Sequence, residues 1–408
     1  MKNELSTEVL IERIVQRIEN GNTFILQAMG KVVKQIKNIT PTQAYQLEQM
    51  IKYGARYDTI LQRLSKITGI NLEELDKIFE YYAKKDYRFA EKFYKYRNIN
   101  YVPFEEFGAL KTQTRAIANI TKNTYMNLSR TTAIGFTIKD PFGKTIFYNI
   151  SDAYQYLIDQ SILAITQGRD TFDNQMYGIL KQIGNGVKTI DYASGHTRRL
   201  DSAMRMNLRG GIRDLKIANQ ELIGKDFGAD GVEITVHENP APDHADIQGR
   251  QFSNEEFEKL QNNQRATDYK GISYDPTYKG RDRRSIGQWN CYHSTWAIVL
   301  GVSEPIYTNE ELEKIKERNN QGFDYEGKHY TLYEGMQLQR QIETAIRKEK
   351  DKQILGVASD NKELVDDAQR KITKLTHKYS QLCKTSGLEP YKERMRVPGY
   401  RRKDTSKM

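Results

Sequence analysis

At 408 residues the chain is longer than one ordinary domain, and 38% hydrophobic with 28% charged residues suits folded units with well-solvated faces. No run approaches the roughly 18 apolar residues of a membrane-spanning helix, and the start MKNELSTEVLIERIV lacks the basic opening and apolar block of a signal peptide. The two cysteines, Cys291 and Cys383, make no disulfide framework, so a soluble protein made in a reducing cytoplasm is expected.

The net charge of +10 is unevenly spread, because residues 346–408 hold 17 Lys and Arg against 9 Asp and Glu. Such a segment suits a polyanion, either nucleic acid or an acidic protein face; a solvated helix with a basic tail fits equally.

Residues 1–130 predict consecutive helices. Leu5, Val9, Ile11, Ile14, Val15 and Ile18 recur at helical spacing, and Asn20-Gly21 is expected to end that run. A second helix is expected near Pro41 and Thr42. Another is expected at Asn71, where Glu74 completes a capping-box pattern and Ile70 and Leu75 are placed as a staple. Tyr81, Tyr82, Tyr87, Phe89, Phe93, Tyr94 and Tyr96 then crowd a basic segment. Such aromatics either stack on bases or fill a helical core, and the second is the commoner use.

Residues 131–225 predict further helices with a short β-hairpin around Asp140-Pro141-Phe142-Gly143. In the helix from about Asp201 to Gly224, Arg205, Arg209 and Arg213 lie four apart and share a face. The stripe fits phosphates, a partner's carboxylates, or an ordinary solvated face.

Residues 226–335 predict a small α+β unit. Val232, Ile234 and Val236 alternate with polar residues in a strand that delivers His237. Ser253 with Glu256 forms a capping-box pattern with Phe252 and Phe257 as staple, a helix starts at Thr308 with Glu311, and a hairpin turns at Glu326-Gly327. Residues 336–408 predict two helices, the second ending at Gly387, and an extended basic tail carrying Arg394, Arg396, Arg401, Arg402 and Lys403. The fold class is thus mainly α with a small α+β domain.

His237, His244, Cys291 and His293 supply four zinc-ligand types, although Cys-x-His and His-x6-His are not the usual zinc pairings. Histidines fixing turns, Cys291 as a nucleophile with Asp243 orienting a histidine, and a nuclease built from Asp243, His244, Asn290 and His293 are the other readings, with Trp289 and Trp296 favouring a packed setting. No Walker motif, dinucleotide fingerprint or HExxH occurs.

Five segments, VKTIDYASGHTRRLDSAMRMNLRGG, VEITVHENPAPDHADIQGRQFS, IGQWNCYHS, YEGMQLQRQIETAIRKEK and CKTSGLEPYKERMRVPGY, spread in order over roughly 185–402. In these the chain resembles the phage minor capsid protein 2 family and, more distantly, Mu-type minor head proteins. It departs from the family pattern at Glu238-Asn239-Pro240-Ala241, where Gly-Ala-Arg is usual. It also departs at Ile247, where tryptophan is usual, and at Tyr292, where arginine is common. The resemblance implies a virion structural protein without enzymatic activity, encoded near the portal gene and present in multiple low-number copies at the portal vertex. Its partners would be the portal protein, other capsid proteins and packaged DNA, with no membrane partner; no cofactor is expected beyond the structural zinc that the four ligand types above allow. A helical N-terminal half, with 131–225 as the docking candidate, would suit the portal ring. The alternative is a head-carried nuclease or transferase using the His/Cys cluster.

Overall fold

A computed structural model describes residues 7–38, 71–129, 132–140, 142–166, 169–191, 193–288 and 291–402. The helix expected at Pro41, the staple residue Ile70, and Trp289, Asn290 and Lys403 lie outside the described residues. The chain is mainly helical with small antiparallel sheets.

The first helix, α1 (Thr7–Lys37), runs straight through Asn20-Gly21. A helical glycine costs about 1 kcal/mol, whereas each large apolar side chain buried beyond it contributes about 1.5–3 kcal/mol. Ile25, Leu26, Met29, Val32, Val33 and Ile36 are all buried, so tertiary packing overrides the local stop signal. Then come α2 (Asn71–Arg97) and α3 (Gly108–Leu128). The aromatics of α2 divide: Tyr82, Tyr87, Phe93 and Tyr94 are core, while Tyr81 and Tyr96 are exposed. Phe93 stacks on Phe227 with ring centroids 5.2 Å apart, and Phe89 meets Trp296 at 4.3 Å, so this segment is mostly core.

The expected hairpin is β1 (Ile134–Lys139) with β2 (Thr145–Asn149). It is half of a four-stranded sheet ordered β2-β1-β3-β4, completed by β3 (Lys188–Ile190) and β4 (Thr197–Arg199). Between them lie α4 (Ile150–Thr166) and α5 (Arg169–Ile183). Next, α6 (Leu200–Phe227) crosses the molecule, packing on α1, α2, α3 and the second sheet, and ends on a left-handed Gly228.

That second sheet has the order β11-β5-β6, from β5 (Gly231–Ile234), β6 (Gln251–Ser253) and β11 (Thr295–Ile298). Helix α7 (Asn254–Gln261) follows β6, and two small hairpins follow, β7 (Ala266–Thr267) with β8 (Ser273–Tyr274) and β9 (Thr277–Tyr278) with β10 (Arg281–Asp282). Only half of the expected Ser253 box forms: Ser253 Oγ accepts from Glu256 N, but the Glu256 carboxylate turns to Thr267 N and Lys259. The Thr308 box closes in full at the start of α8 (Asn309–Gln321). The hairpin of β12 (Phe323–Tyr325) and β13 (Lys328–Tyr330) turns where expected, with Glu326 and Gly327 both at positive φ. Long helices α9 (Leu332–Ser359) and α10 (Lys362–Ser386) follow, and Gly387 closes α10 in the left-handed conformation.

The core ignores sequence order. One cluster runs from Ile11 of α1 through α4, α5 and α6 to Ile354, Leu364 and Val397, so residues from both ends of the chain share it. The expected extended basic tail is a strap as far as Tyr400: Gln16 donates to the carbonyls of Glu393 and Arg396, Thr23 Oγ1 donates to Pro398 O at 2.7 Å, and Val397 is buried.

A layer of buried charge pins this arrangement. Arg199 reaches Asp201 (3.0 Å), Asp351 (2.7 Å) and Glu19 (3.3 Å). Arg205 grips both oxygens of Glu12 (2.7 and 2.9 Å) and also Asp201 (2.8 Å), which Arg347 meets at 2.7 Å. Arg394 approaches Glu343 (3.8 Å) and Glu12 (3.9 Å). Arg205 and Arg394, expected as surface contacts, are therefore interior ions. In these contacts four guanidinium groups, Arg199, Arg205, Arg347 and Arg394, face five carboxylates. Burial, with Asp201 and Asp351 beside it, pushes Glu19 well above the usual carboxylate range.

Candidate metal centre

The site forms where two loops of the α+β unit meet beneath α6. Strand β5 ends at Ile234, two residues earlier than the alternation predicts, and the chain then delivers His237, whose backbone N–H donates to Gln248 Oε1 at 2.9 Å. The turn after Pro240 is closed by His244 N to Ala241 O and by Gln248 N to His244 O. Gly249, at φ +69°, lets the chain double back: a Cβ there would meet Leu312 at 2.6 Å. The second loop enters β11 through Cys291 and His293, with Cys291 N bonded to Gln288 O.

Three of the four predicted ligands converge. Cys291 Sγ lies 3.4 Å from His244 Nδ1 and 3.4 Å from His293 Nδ1, and all three side chains are buried. His237 stands next to them, its ring edge-on to His293 with centroids 4.3 Å apart, but its nitrogens fall outside the converging set. Its Nε2 is buried without a hydrogen-bond partner.

Outer contacts fix the rings. His244 Nε2 is 2.6 Å from Arg284 O, and His293 Nε2 is 3.2 Å from Gln248 Oε1. The Arg284 guanidinium holds Asp243 through two bonds of 2.6 and 2.7 Å, and Arg283 holds Asp246 the same way at 2.6 and 3.0 Å, so the RDRR run staples the His244 turn. Sequence reading missed Arg283, Arg284 and the role of Gln248; the acidic pair flanking His244 opposite RDRR was the available signal.

From the predicted arginine stripe, Arg209 lies over the Tyr292 ring at 5.7 Å, and Arg213 bonds Asp214 and reaches Cys291 O at 3.4 Å. Both brace the Cys291 loop from α6, half-buried, while Arg205 belongs to the ionic layer. Arg396, Arg401 and Arg402 are exposed.

Burial dominates the electrostatics of the site. Burial lowers His237 and His244, and burial with its two histidine neighbours holds His293 down to about 2. Burial pushes the Cys291 thiol up, which disfavours the thiolate a nucleophile needs. Asp243, the expected orienting carboxylate, is 3.8 Å from His244 Nε2 and engaged by Arg284.

The family model described as phage minor capsid protein 2 matches residues 4–384. The chain belongs to the phage minor capsid protein 2 family. It is thus a structural component of a bacteriophage particle, in contact with other head proteins. No curated protein and no solved structure matches the chain. The family match also spans α1 to α5, where the sequence offered few distinctive segments. Among the described residues, no helix of this minor capsid protein is long and apolar enough to cross a membrane.

Proposed function

We propose that this minor capsid protein works at the portal vertex of the head, in a few to a few dozen copies, and meets packaged DNA through a basic cleft. The observation that carries the reading is where the chain's two ends meet. Arg13, Arg17, Lys77 and Arg396 line an open cleft of about 590 Å³ between α1, α2 and the C-terminal strap, with Glu74 the acid among the described lining residues. Glu74 is paired to Arg17. Arg401 and Arg402 continue the exposed basic edge just beyond. Exposed cations of this kind neutralise phosphates and release counterions, with no base-specific contact required. The portal is the partner for the helical face, and host cytoplasm is the place of synthesis.

Binding of random-sequence duplex DNA to the full-length protein, measured against salt, tests the cleft. Replacing Arg13, Arg396, Arg401 and Arg402 together with alanine should reduce the log–log salt slope by about 3 to 4. An unchanged slope refutes the DNA role. A particle reconstruction without imposed icosahedral symmetry tests the placement: density confined to one vertex is expected, and copies spread over all faces would refute it.

A further inference from the structure

We propose that His244, Cys291 and His293 form a zinc-class metal clip that ties the His244 turn to the lead-in of β11. Three independent features carry it.

The first is distance. Zinc holds sulfur at about 2.3 Å and nitrogen at about 2.0–2.1 Å, so two tetrahedral ligands of this kind sit about 3.5–3.6 Å apart. Both observed Sγ···Nδ1 separations are 3.4 Å, and the three ligand atoms lie within 4.8 Å of one another.

The second is the direction of the ring lone pairs. A backbone N–H can only donate, so the bond from His237 N fixes Gln248 Oε1 as an acceptor and settles the orientation of that amide. His293 Nε2, facing the same oxygen, must carry the proton. Arg284 O is likewise an acceptor, so His244 Nε2 carries its proton too. A neutral ring so oriented leaves Nδ1 bare, and in both rings that atom faces Cys291 Sγ. A thiol has one proton and can satisfy one of them. Without an ion, the other bare nitrogen faces a sulfur lone pair in a buried site. A cation at the convergence point satisfies all three atoms.

The third is the surrounding shell. Metal-bound histidines characteristically donate their remote N–H to a carbonyl or carboxylate, which fixes ring and tautomer. Here both do. The donor set of two imidazoles and a thiolate suits zinc, and His237 Nε2, buried and unpartnered, is the adjacent nitrogen for a fourth position. On binding, Cys291 loses its thiol proton to solvent and the metal–sulfur bond replaces S–H; no electron is transferred. The clip closes a loop with 48 residues between His244 and His293, adding to the hold of α7, the short strands and the Arg283 and Arg284 pairs.

The test uses full-length protein purified without chelator or affinity metal. Elemental analysis should find about one zinc per chain. After stripping and titration with Co(II), a thiolate-to-cobalt charge-transfer band should appear and saturate near one equivalent. Cys291→Ser should abolish the band, His293→Ala should weaken apparent affinity at least tenfold, and Cys383→Ser should leave both unchanged. A folded wild-type protein that takes up no Co(II), or a band that survives Cys291→Ser, overturns the proposal. Should Cys291→Ser fail to fold, removal and return of metal on wild-type protein decides: the band must disappear and come back with the ion, and its absence in protein that still shows native circular dichroism overturns the clip.

Discussion

Asp201→Asn probes the buried ionic layer most directly. The carboxylate meets Arg199 at 3.0 Å, Arg205 at 2.8 Å and Arg347 at 2.7 Å, and the residue is 3% exposed, so water cannot replace what is lost. Burial opposes its charge, but Arg199, Arg347 and Arg205 overcome that and hold Asp201 well below the usual carboxylate range. The amide keeps the shape, removes the charge and turns an NH2 toward guanidinium donors. Neutralising one partner of a buried pair costs about 3–5 kcal/mol. Glu19 softens the loss: Asp201 is among the neighbours that raise it, so with Asp201 neutral Glu19 ionises more readily, and a value near the lower end, about 3 kcal/mol, is expected. Arg199→Met has no such relief, strands Glu19, Asp201 and Asp351 together, and should approach about 5 kcal/mol. Unfolding entropy of about 2.1 cal/mol/K per residue gives about 0.9 kcal/mol/K for 408 residues, so 3 kcal/mol lowers Tm by about 3–4 °C if the shared core melts as one unit. Calorimetry and urea titration measure both variants, with the exposed Asp214→Asn as a control expected within about 0.5 kcal/mol. A Tm change below about 1 °C for Asp201→Asn refutes the reasoning. So does a double variant whose destabilisation equals the sum of the singles, because groups in one network couple.

Asp86, buried on α2 with Oδ2 lacking a hydrogen-bond partner, is raised by burial to about 7 despite the opposing pull of Lys216 and Lys85. Its folded pKa stands above the ordinary 3.8, so its contribution is most favourable below that value and declines as pH rises toward 7, by up to about 4 kcal/mol. Asp86→Asn should therefore gain on the wild type between pH 5 and pH 8 in urea unfolding, and a pH-independent difference would contradict this. Gly186 sits at φ +87°, and a Cβ there would lie 2.3 Å from an Arg199 guanidinium nitrogen and 2.6 Å from Asp351. Gly186→Ala should cost well above the roughly 1–2 kcal/mol of left-handed strain, and Gly143→Ala, at φ +84° with open space around it, should cost only that strain. Equal melting shifts for the two would count against the close approach. Thr308→Ala opens a complete capping box and should lose about 1 kcal/mol on denaturation, with no change in DNA binding by the cleft.

Local chemistry was legible wherever the deciding contact is a few residues away. Thr308 with Glu311, the Glu326-Gly327 turn and Gly387 each complete their structure within four positions, and all stand as the sequence predicts. The reading failed where the partner is distant. Asn20-Gly21 looks like a stop until Asn22 is seen bonding Asp351 and Val187 N, 329 and 165 positions away. Arg205 looks like part of a surface stripe until Glu12 is placed beside it, although Asp201 four residues earlier already offered it a partner. Glu256 left its box for the backbone of Thr267. At the candidate metal centre the ligand types were visible and their spacing argued against them. What brings them together is a tight turn at Gly249, the RDRR staple and the carbonyl of Arg284, and a main-chain oxygen leaves no mark in a sequence.

The closure of the C-terminal strap over α1 sets the timetable by which this chain folds during synthesis. The apolar face of α1 is made early and is covered in part by α4 and α6, but the residues that complete its burial, in α9 and around Val397, come some 330 positions or more later. At about 5–20 residues per second that interval is roughly 16 to 66 s, long against helix formation or collapse. Throughout it, α1 lacks its final partner, and Glu12, Glu19, Asp201, Arg199 and Arg205 have one another but not yet Arg347, Asp351 or Arg394. The last step is the docking of one short segment, which buries Val397 and brings Arg394 beside Glu12 and Glu343. A chain cut short before Val397 would carry every helix and still keep the aggregation hazard of an unfinished one.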